Sequence, residues 1–591
     1  MTVIGTAGHV DHGKSTLLQA ITGRDPDRWE EEKRRGLTID LGFVWGKLPS
    51  GREISFVDVP GHERFIKNML AGIEAIDAAL FVVAADEGWM PQSEEHLAVL
   101  DLLDVRRGVV ALTKADLVDD ELLELVTLEV HERLEGSSLE GAPVLAVSSR
   151  TGDGLDDVIA ALDAIGIDGE AGDDPRLWID RRFTVSGAGT VVTGTLLGGP
   201  LRVGDILHVH PGHVRVRVRA LESHEREHQR VDPHRRVAVN LADAPEHLAR
   251  GAMLGLPGRW EATSRFTAAL RTARYVDDLG DRGAFQIHVG TTAAAARLRR
   301  LEDSVLVTLE RPLPLRYGDR FIVRETGRRA VVAGGRVIDP APPRKGEPLR
   351  LSARVSPDLD SEGAASHLLR IRRTERIERL VAHTGATPSA AKVFGETAIS
   401  LEEHDRLHGL AVATVAEFHR RYPLRPGIPT ATLASRLGVT AEIAVAIASE
   451  CSSMETDGAT VRLQGHTAKL DAMQQERWDE TRRLLAEAGL QPPRSAALPI
   501  DEEMIHLLVR SGDLVMVSDE FVYLPDTLHR VEAAIAAMPG PFTVADFRDA
   551  LGISRKYAVP LLEWADERRL TRRQGDTRTP LLEGEGSSAG S

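Results

Sequence analysis

The sequence is poor in cysteine and in long apolar runs, and each deficit excludes a class of protein. A single cysteine, Cys451, in 591 residues excludes an intramolecular disulfide framework and a cysteine-rich zinc site, and it is typical of a reducing compartment. No apolar run approaches the roughly 20 residues that a membrane-spanning helix needs. The first residues lack the apolar core and cleavage site of a secretory signal. We therefore expect a cytoplasmic protein with no membrane segment.

Positive charge is also in deficit, since the net charge of the chain is −16. That balance argues against a protein that coats nucleic acid without selectivity, although it permits local basic patches. With 42% hydrophobic and 27% charged residues, the composition is that of a globular protein. The length exceeds what one hydrophobic core supports and predicts about four to six domains.

The first part of the chain, residues 1–170, alternates short apolar runs with longer helical stretches. This alternation is typical of an α/β domain built on a parallel sheet. The predicted strands are Thr2–Thr6, Glu53–Asp58, Ala78–Ala85, Gly108–Thr113 and Val144–Ser148.

Strands and turn residues dominate the next part, which predicts two β-barrel domains at residues 175–260 and 261–340. Valine and arginine alternate from Val214 to Ala220, so this strand has one buried face and one basic face. For this strand alone, a solvated basic face is favoured over contact with RNA.

Beyond the linker Pro340–Gly346, a helix, a turn and a two-stranded hairpin recur at intervals of roughly 55 to 60 residues. This pattern is typical of winged-helix domains and predicts an α+β array. The copies span residues 426–480, 481–535 and 536–582. A further copy at 347–425 matches the pattern less well, and the small polar tail 583–591 is predicted to be disordered.

A phosphate-binding loop lies between the first predicted strand and an apolar helix. Its glycine-rich turn ends in Gly13-Lys14-Ser15, and its backbone N–H groups are expected to bind phosphates. Lys14 would reach the β and γ oxygens and Ser15 would ligate Mg²⁺. A purely structural glycine turn is disfavoured by the strand and helix on either side. The predicted contacts are Gly8, His9, Val10, Asp11, His12, Gly13, Lys14, Ser15 and Thr16.

The segment after the strand Glu53–Asp58 carries the residues expected to sense the γ-phosphate. Asp58 ends that strand, where its carboxylate can hold Mg²⁺ through water. Gly61 allows close approach to the γ-phosphate, and His62 stands where GTPases have the residue that orients the attacking water. Thr38 is the expected switch hydroxyl, a Mg²⁺ ligand only when the γ-phosphate is present.

The motif Thr113-Lys114-Ala115-Asp116 predicts guanine as the base. The Asp116 carboxylate can accept the N1–H and amino hydrogens of guanine, a donor pair that adenine lacks. Thr113 offers a hydroxyl where an amide is usual, so its base contact stays open. Ser148 ends the last predicted strand and Ser149 follows it, in the place of the final guanine loop.

These motifs, in this order and spacing, resemble the GTPase domain of elongation factor Tu and its relatives over residues 1 to about 170. The stretch Phe183–Thr195, followed by Val203–Asp205, resembles the second domain of the same group. About 245 further residues with winged-helix patterns resemble the bacterial selenocysteine-specific elongation factor family. The last repeat carries the closest similarity, in Phe547–Gly552 and Ser554–Lys556.

The resemblance implies a ribosome-stimulated GTPase that uses GTP and Mg²⁺. It implies three partners: selenocysteinyl-tRNA, an mRNA hairpin beside an in-frame UGA codon, and the ribosome. It also implies an aminoacyl pocket at Asp180, Arg181 and Arg236, where guanidinium groups would separate an anionic selenol from neutral serine. We expect a monomer.

The terminal copy is basic within an acidic protein, with seven Lys or Arg against four Asp or Glu between Ile553 and Pro580. With Ser554 as the N-cap, Arg555 and Lys556 would lie in the first turn of the recognition helix, where cations oppose the helix dipole. Contact with RNA phosphate explains that placement better than helix stability does. The predicted RNA contacts are Arg555, Lys556, Arg572 and Arg573.

Two alternatives remain at this point. One is a general elongation or initiation GTPase with a fused nucleic-acid-binding extension, which tRNA selectivity would distinguish. The other is a regulator that binds RNA or DNA and never hydrolyses its nucleotide. The presence of both Thr38 and His62 disfavours the second.

Overall fold

The computed structural model describes residues 2–26, 42–58, 76–166, 172–185, 187, 189–280, 283–328 and 330–581. The chain forms two compact units, Met1–Glu403 and His404–Ser591. Each unit is described by itself.

The first unit begins with a six-stranded sheet flanked by helices. Its elements are β1 (Thr2–Ala7), α1 (Lys14–Thr22), β2 (Gly42–Lys47), β3 (Glu53–Asp58), β4 (Ala78–Ala84), α2 (Pro91–Leu102), β5 (Gly108–Thr113), α3 (Asp120–Leu134), β6 (Val144–Ala146) and α4 (Leu155–Ala164). The strand order is β2-β3-β1-β4-β5-β6, and β2 alone pairs antiparallel with its neighbour among the described strands.

The apolar runs of the sequence become the central strands because helices cover the sheet on both faces. Every residue of β1 and β4 is buried, as a parallel sheet between two helical layers requires. Parallel strands also bring their carboxyl ends to one edge, so the loops after β1, β3, β5 and β6 meet there. That edge carries the predicted nucleotide residues.

A closed six-stranded barrel follows. The strands of this domain, six of which form the barrel, are β7 (Arg176–Trp178), β8 (Arg181–Val185), β9 (Gly189–Leu197), β10 (Leu201–Arg202), β11 (Ile206–His210), β12 (Val214–Ser223), β13 (Arg226–His228), β14 (Arg230–Val231), β15 (Arg235–Ala242) and β16 (Met253–Gly255). The order β11-β16-β7-β9-β15-β12 closes through the pairing of β12 with β11, while β8 pairs with β9 and β13 with β12 outside this closed order. Arg215, Arg217 and Arg219 of β12 are exposed and Val216 and Val218 are buried, as their alternation predicts.

A second closed, antiparallel barrel is built from β17 (Ala262–Thr272), β18 (Phe285–Val289), β19 (Thr292–Arg300), β20 (Val305–Pro314), β21 (Arg320–Glu325) and β22 (Ala330–Asp339). Its order is β17-β20-β19-β18-β21-β22. The core includes Phe266 and Phe321, whose rings pack edge to face with centroids 5.5 Å apart. Such ring pairs contribute beyond the apolar area that they bury.

The last part of the first unit has the winged-helix arrangement. It comprises α5 (Glu347–Ser352), α6 (Ser361–Arg372), β23 (Thr374–Arg376), α7 (Ile377–Thr384), β24 (Ala391–Phe394) and β25 (Thr397–Ser400), with strand order β23-β25-β24. It is joined to the second barrel by a buried ion pair, in which Arg372 donates to Asp339 over 2.7 Å. The less clear copy in the sequence therefore corresponds to a compact helix-and-wing structure.

The second unit repeats helix, turn, helix and hairpin. Its elements are α8 (Leu401–Arg421, which begins in the first unit), β26 (Ile428–Pro429), α9 (Thr430–Leu437), α10 (Ala441–Glu450), β27 (Met454–Thr456), β28 (Thr460–Leu463), α11 (Ala472–Ala488), α12 (Glu502–Ser511), β29 (Val515–Ser518), β30 (Phe521–Tyr523), α13 (Pro525–Ala536), β31 (Phe542–Thr543), α14 (Val544–Leu551), α15 (Arg555–Glu567), β32 (Thr571–Gln574) and β33 (Thr577–Pro580). The predicted fold class is thereby confirmed.

The last two modules of this unit share one hydrophobic core. Phe521 and Tyr523 of β30 belong to the same buried cluster as Phe547 and Trp564 of the terminal module. A cluster of this size is one cooperative packing unit, so the terminal module is best studied within the whole chain. The predicted tail 583–591 lies outside the described residues.

Among the described helices, no single one has the length and apolar composition needed to cross a membrane. The pair α9 and α10 meets that test only when joined, and it is bent by 95°.

Candidate functional site

The phosphate-binding loop runs from the end of β1 to the start of α1. Gly8 has φ +126°, and a Cβ built there would lie 2.0 Å from the Val82 carbonyl oxygen. Gly13 has φ +82° and precedes the first residue of α1. Only glycine fits both requirements, which explains why the turn has glycine at these two positions. The N–H groups at the start of α1 therefore open onto this loop.

Lys14 is the buried cation of the loop. Its ammonium donates to the carbonyl oxygens of Gly8 over 3.1 Å and His9 over 2.6 Å. Burial lowers the pKa of Lys14 to about 8, against the opposing influence of Asp58 and Asp11. A bound phosphate would favour the charged ammonium, because an opposite charge offsets the cost of burial.

Two side chains of α2 hold the loop from the side, and the sequence interpretation missed both. His96 Nδ1 accepts a hydrogen bond from the Gly8 amide over 2.9 Å, and Gln92 accepts one from the Val10 amide over 3.1 Å. Burial lowers the pKa of His96 to about 3, so the ring is neutral and its Nδ1 remains an acceptor. In the sequence, these contacts are indicated only by the polar character of His96 and Gln92 on a helix that packs against the sheet.

The remaining loop residues differ in exposure. His12 is fully buried, and burial lowers its pKa to about 4. Its ring packs against that of His9, with centroids 5.1 Å apart. Asp11 has φ +61° and is exposed, and Thr16 is exposed on α1.

Asp58 lies at the end of β3, directly beside the loop. Its carboxylate accepts from the Thr6 hydroxyl over 2.7 Å and from the Ser15 hydroxyl over 2.8 Å. Hydroxyl and carboxylate oxygens are the ligands that Mg²⁺ prefers, so this donor set fits the ion. The other residues predicted to sense the γ-phosphate are Thr38, Gly61 and His62. All three lie outside the described residues.

The base-recognition residues converge at the ends of β5 and β6. The Asp116 carboxylate accepts from Arg150 over 2.5 Å. Hydrogen bonds from Ser148 and Arg150 hold the pKa of Asp116 below its ordinary value, so the carboxylate stays an acceptor. Arg150 is three-quarters exposed and can move aside for a base. No local pattern indicates this contact, because Arg150 and Asp116 are 34 positions apart in the sequence.

Thr113 has a different partner from the one that its motif suggests. Its hydroxyl donates to the His12 carbonyl over 2.6 Å and is buried. It therefore ties the base-recognition loop to the phosphate loop. Lys114, at φ +57°, pairs with Asp86 over 3.2 Å and Glu87 over 2.7 Å, and Ser149 adjoins Ser148 in the last loop.

A cleft of about 190 Å³ lies between β2 and the first barrel. It brings together two of the three residues predicted for an aminoacyl pocket, Arg181 and Arg236, and Asp180 pairs with Arg236 beside it. Arg236 also donates to Thr193 over 3.0 Å, and the Thr193 hydroxyl donates to Asp180 over 2.6 Å. This network fixes the guanidinium in one orientation.

The aromatic ring of Phe43 faces these guanidinium groups. The Phe43 ring centroid lies 3.4 Å from the Arg236 Cζ and 5.8 Å from the Arg181 Cζ. Phe43 belongs to β2 of the α/β domain, so the cleft is made from two domains of the first unit. The sequence interpretation missed Phe43 and Thr193, because nothing local links them to Arg236.

The predicted RNA-binding residues are exposed on the terminal module. Arg555 and Lys556 are the first two residues of α15, and Arg572 and Arg573 lie in β32. The Lys556 ammonium lies 5.1 Å from the Phe521 ring centroid.

The N-cap of α15 differs from expectation, and one arginine of the wing is buried. Ser554 occupies the N-cap position, yet its side chain makes no capping hydrogen bond, and α15 continues through Pro560 to Glu567. Arg578 is buried and donates to Asp566 over 2.9 Å, so it is a structural residue of the wing.

Comparisons with known proteins agree with this layout. The model of the elongation factor Tu GTP binding domain matches residues 1–166, and that of the selenocysteine-specific elongation factor beta-barrel domain matches residues 263–344. Two models described as elongation factor SelB, winged helix, match residues 412–463 and 533–579.

Relatives match over almost the whole chain. A selenocysteine-specific elongation factor of Desulfomicrobium baculatum is 35% identical over 98% of this chain and 99% of its own length. That of Escherichia coli K12 is 33% identical over 97% and 98%. A crystal structure of a bacterial selenocysteine-specific elongation factor, 25% identical, covers 98% of this chain and 99% of its own, with a TM-score of 0.72.

Proposed function

This chain belongs to the selenocysteine-specific elongation factor family, and from that membership we propose how its residues divide the binding of GTP, selenocysteinyl-tRNA and an mRNA hairpin. The protein is a translational GTPase that delivers selenocysteinyl-tRNA to the ribosome. The observation that carries the assignment of residues is the cleft in which Phe43 of the GTPase domain faces Arg181 and Arg236 of the first barrel.

The nucleotide end uses the phosphate loop, Lys14 and Asp116. The α1 N-terminus and the Lys14 ammonium bind the phosphates, and the Asp116 carboxylate receives the two guanine donors. Ser15 and Thr38 would hold Mg²⁺, with Asp58 acting through water. When bound, that ion neutralises charge on the β and γ oxygens. The Thr113 hydroxyl positions the two loops relative to each other and does not itself touch the base.

The amino acid end uses the guanidinium groups of the cleft. A selenol ionises far more readily than a hydroxyl, so the selenocysteinyl group arrives as an anion and the seryl group as a neutral side chain. Arg236 is fixed by Asp180 and Thr193 before the substrate enters, which reduces the entropy lost on binding. Phe43 shields the contact between the guanidinium groups and the anionic selenol from water and thereby strengthens their attraction.

The terminal module supplies the RNA contact. Its exposed Arg555, Lys556, Arg572 and Arg573 stand on a body whose total charge is negative, so they give a local attraction for RNA phosphate. The full-length match to selenocysteine-specific factors favours this function over a general elongation factor with an unrelated extension. We further propose that the protein acts in the cytoplasm as a monomer. Its single cysteine, Cys451, is buried and forms no disulfide.

The direct test is filter binding of seryl- and selenocysteinyl-forms of the same tRNA with GTP present. Arg236→Ala and Arg181→Ala should each lower the preference for the selenocysteinyl form by a factor of about ten to a hundred. The reason is that a desolvated charge-assisted contact contributes about 1.5 to 3 kcal/mol. The GTP affinity of each variant should equal that of the wild type, and it is measured on the same preparations.

Neighbouring arginines provide matched controls for this test. Arg182 is the exposed neighbour of Arg181, and Arg235 pairs with Glu53 over 3.2 Å at the edge of the barrel. Arg182→Ala and Arg235→Ala should leave the ratio of the two affinities as it is. If all four variants keep the wild-type ratio, the amino acid is recognised elsewhere.

Simultaneous replacement of Arg555 and Lys556 by alanine should weaken binding of the mRNA hairpin. The dependence of the logarithm of affinity on the logarithm of salt concentration should lose about one unit of slope per phosphate contact removed. The measurement is a salt series with the full-length protein. The control replaces Arg568 and Arg569, which lie just beyond the C-terminal end of α15, by alanine. A double variant of Arg555 and Lys556 with wild-type affinity and slope would refute this contact face.

A further inference from the structure

Three histidines stand together on the hairpin between β11 and β12 of the first barrel. His208 and His210 are two residues apart on β11, so they share a face of the strand. The turn Pro211-Gly212 then returns the chain, and His213 lies just before β12 with φ +55°. The hairpin geometry thus collects three imidazoles from six consecutive residues. Nothing in the binding of GTP, tRNA or RNA described above uses them.

The three rings are close enough to share one ion. One nitrogen from each ring lies within 4.8 Å of one nitrogen from each of the others. Ring centroids are 4.8 Å apart for His210 and His213 and about 6 Å apart for the other two pairs, at 6.0 and 6.2 Å. A tetrahedral ion bound at about 2.0 to 2.1 Å requires nitrogens about 3.4 Å apart, so the rings must turn toward one another to bind it.

Two histidines of the cluster have buried ring nitrogens without a hydrogen-bond partner within the described part of the chain. His210 is 0% exposed, and neither of its ring nitrogens has a hydrogen-bond partner within the described part of the chain. His208 Nδ1 is likewise buried without a partner there. Buried polar atoms are almost always satisfied, so two such imidazoles side by side point to a ligand.

Charges near the cluster bear on which ion it could bind. Arg215 and Arg316 add positive charge nearby, which opposes a cation, and the three-residue cluster itself contains no carboxylate.

That opposition selects among cations. Hard ions such as Mg²⁺ and Ca²⁺ need anionic oxygen ligands, which the cluster lacks. Transition-metal ions bind neutral imidazole strongly enough to tolerate nearby charge, and Zn²⁺, Ni²⁺ and Cu²⁺ suit such ligands. We propose that His208, His210 and His213 form a three-histidine site for one divalent transition-metal ion, with Zn²⁺ the first candidate and water in the remaining position. The exposed His213 side gives the ion its path of entry.

Metal titration of the full-length protein tests this site. Co²⁺ added to protein saturated with Mg²⁺ and GDP should give the visible absorption of a four-coordinate ion, and Zn²⁺ should displace it. Chelator competition with Zn²⁺ should then count bound equivalents. His213→Asn and His208→Gln should each remove one equivalent per chain and abolish the cobalt spectrum. Asparagine is chosen for His213 because it tolerates a positive φ.

Other histidines of the chain give the control. His247 is exposed on the same barrel, and His247→Gln should leave stoichiometry and spectrum unchanged. Because His213 is exposed, its replacement should not disturb the fold, which circular dichroism verifies. The proposal is overturned if wild type gives no four-coordinate cobalt spectrum, or if both variants bind as many equivalents as wild type with the same affinity.

Discussion

Asp116→Asn is expected to change the base preference of the protein from guanine to xanthine. In the proposed site, the wild-type carboxylate accepts from both guanine donors, and Ser148 and Arg150 keep it ionised. The amide would accept from N1–H but would turn its NH₂ group toward the guanine amino group, where two donors oppose each other. Xanthine has a carbonyl at that position and accepts from the amide. Replacing one charge-assisted hydrogen bond of about 1.5 to 3 kcal/mol by a neutral one, and the other by two opposed donors, predicts a GTP affinity about 10² to 10⁴ times lower.

The measurement is the dissociation constant of GTP and of xanthosine triphosphate for wild type and variant. Asp119→Asn is a matched control, since Asp119 lies three residues away and caps α3 by accepting from the Leu122 amide over 2.9 Å. Asparagine caps helices as well as aspartate does, so this variant should keep both affinities. Equal GTP affinity in wild type and Asp116→Asn would contradict the assignment of the base-recognition carboxylate.

The fold class could be predicted because each layer has a local signature. The buried runs that became β1 and β4 are long enough for strands and too short for helices, and Gly8 and Gly13 mark a turn with positive φ at both positions. In β12, the alternation of arginine and valine fixed which side faces the barrel core. Signals of this kind reside within about ten residues, so one sequence is sufficient to find them.

Contacts between distant parts of the chain could not be predicted in the same way. His96 binds the Gly8 amide across 88 positions, and the Thr113 hydroxyl binds the His12 carbonyl across 101. Phe43 meets Arg236 only because the α/β domain packs against the first barrel. The shared core of the last two modules has the same origin, since Phe521 and Phe547 look like ordinary apolar residues of separate repeats. Such contacts depend on tertiary packing, which local patterns do not encode.

If His62 acts only in hydrolysis, its replacement should change the rate of GTP hydrolysis without changing the affinity for GTP. We assign GTP binding to Lys14, whose buried ammonium already lies in the phosphate loop, so Lys14→Ala should remove most of the GTP affinity. His62 follows Asp58, the Mg²⁺-side carboxylate, by four residues, and its expected role begins only when water attacks the γ-phosphate. A group that acts only in the transition state lowers the rate without lowering ground-state affinity.

His62→Ala is therefore expected to keep GTP affinity close to that of wild type while lowering ribosome-stimulated hydrolysis by a factor of about 10² or more. Single-turnover hydrolysis with ribosomes, combined with equilibrium GTP binding, measures the two effects on one preparation. His131→Ala, at an exposed histidine of α3, controls for loss of an imidazole in the same domain and should hydrolyse GTP at the wild-type rate. Lys14→Ala should fail at the binding step, so the two variants together distinguish a catalytic defect from a binding defect. If His62→Ala hydrolyses GTP at the normal rate, a different residue orients the water, and Thr38 and the loop backbone become the next positions to vary.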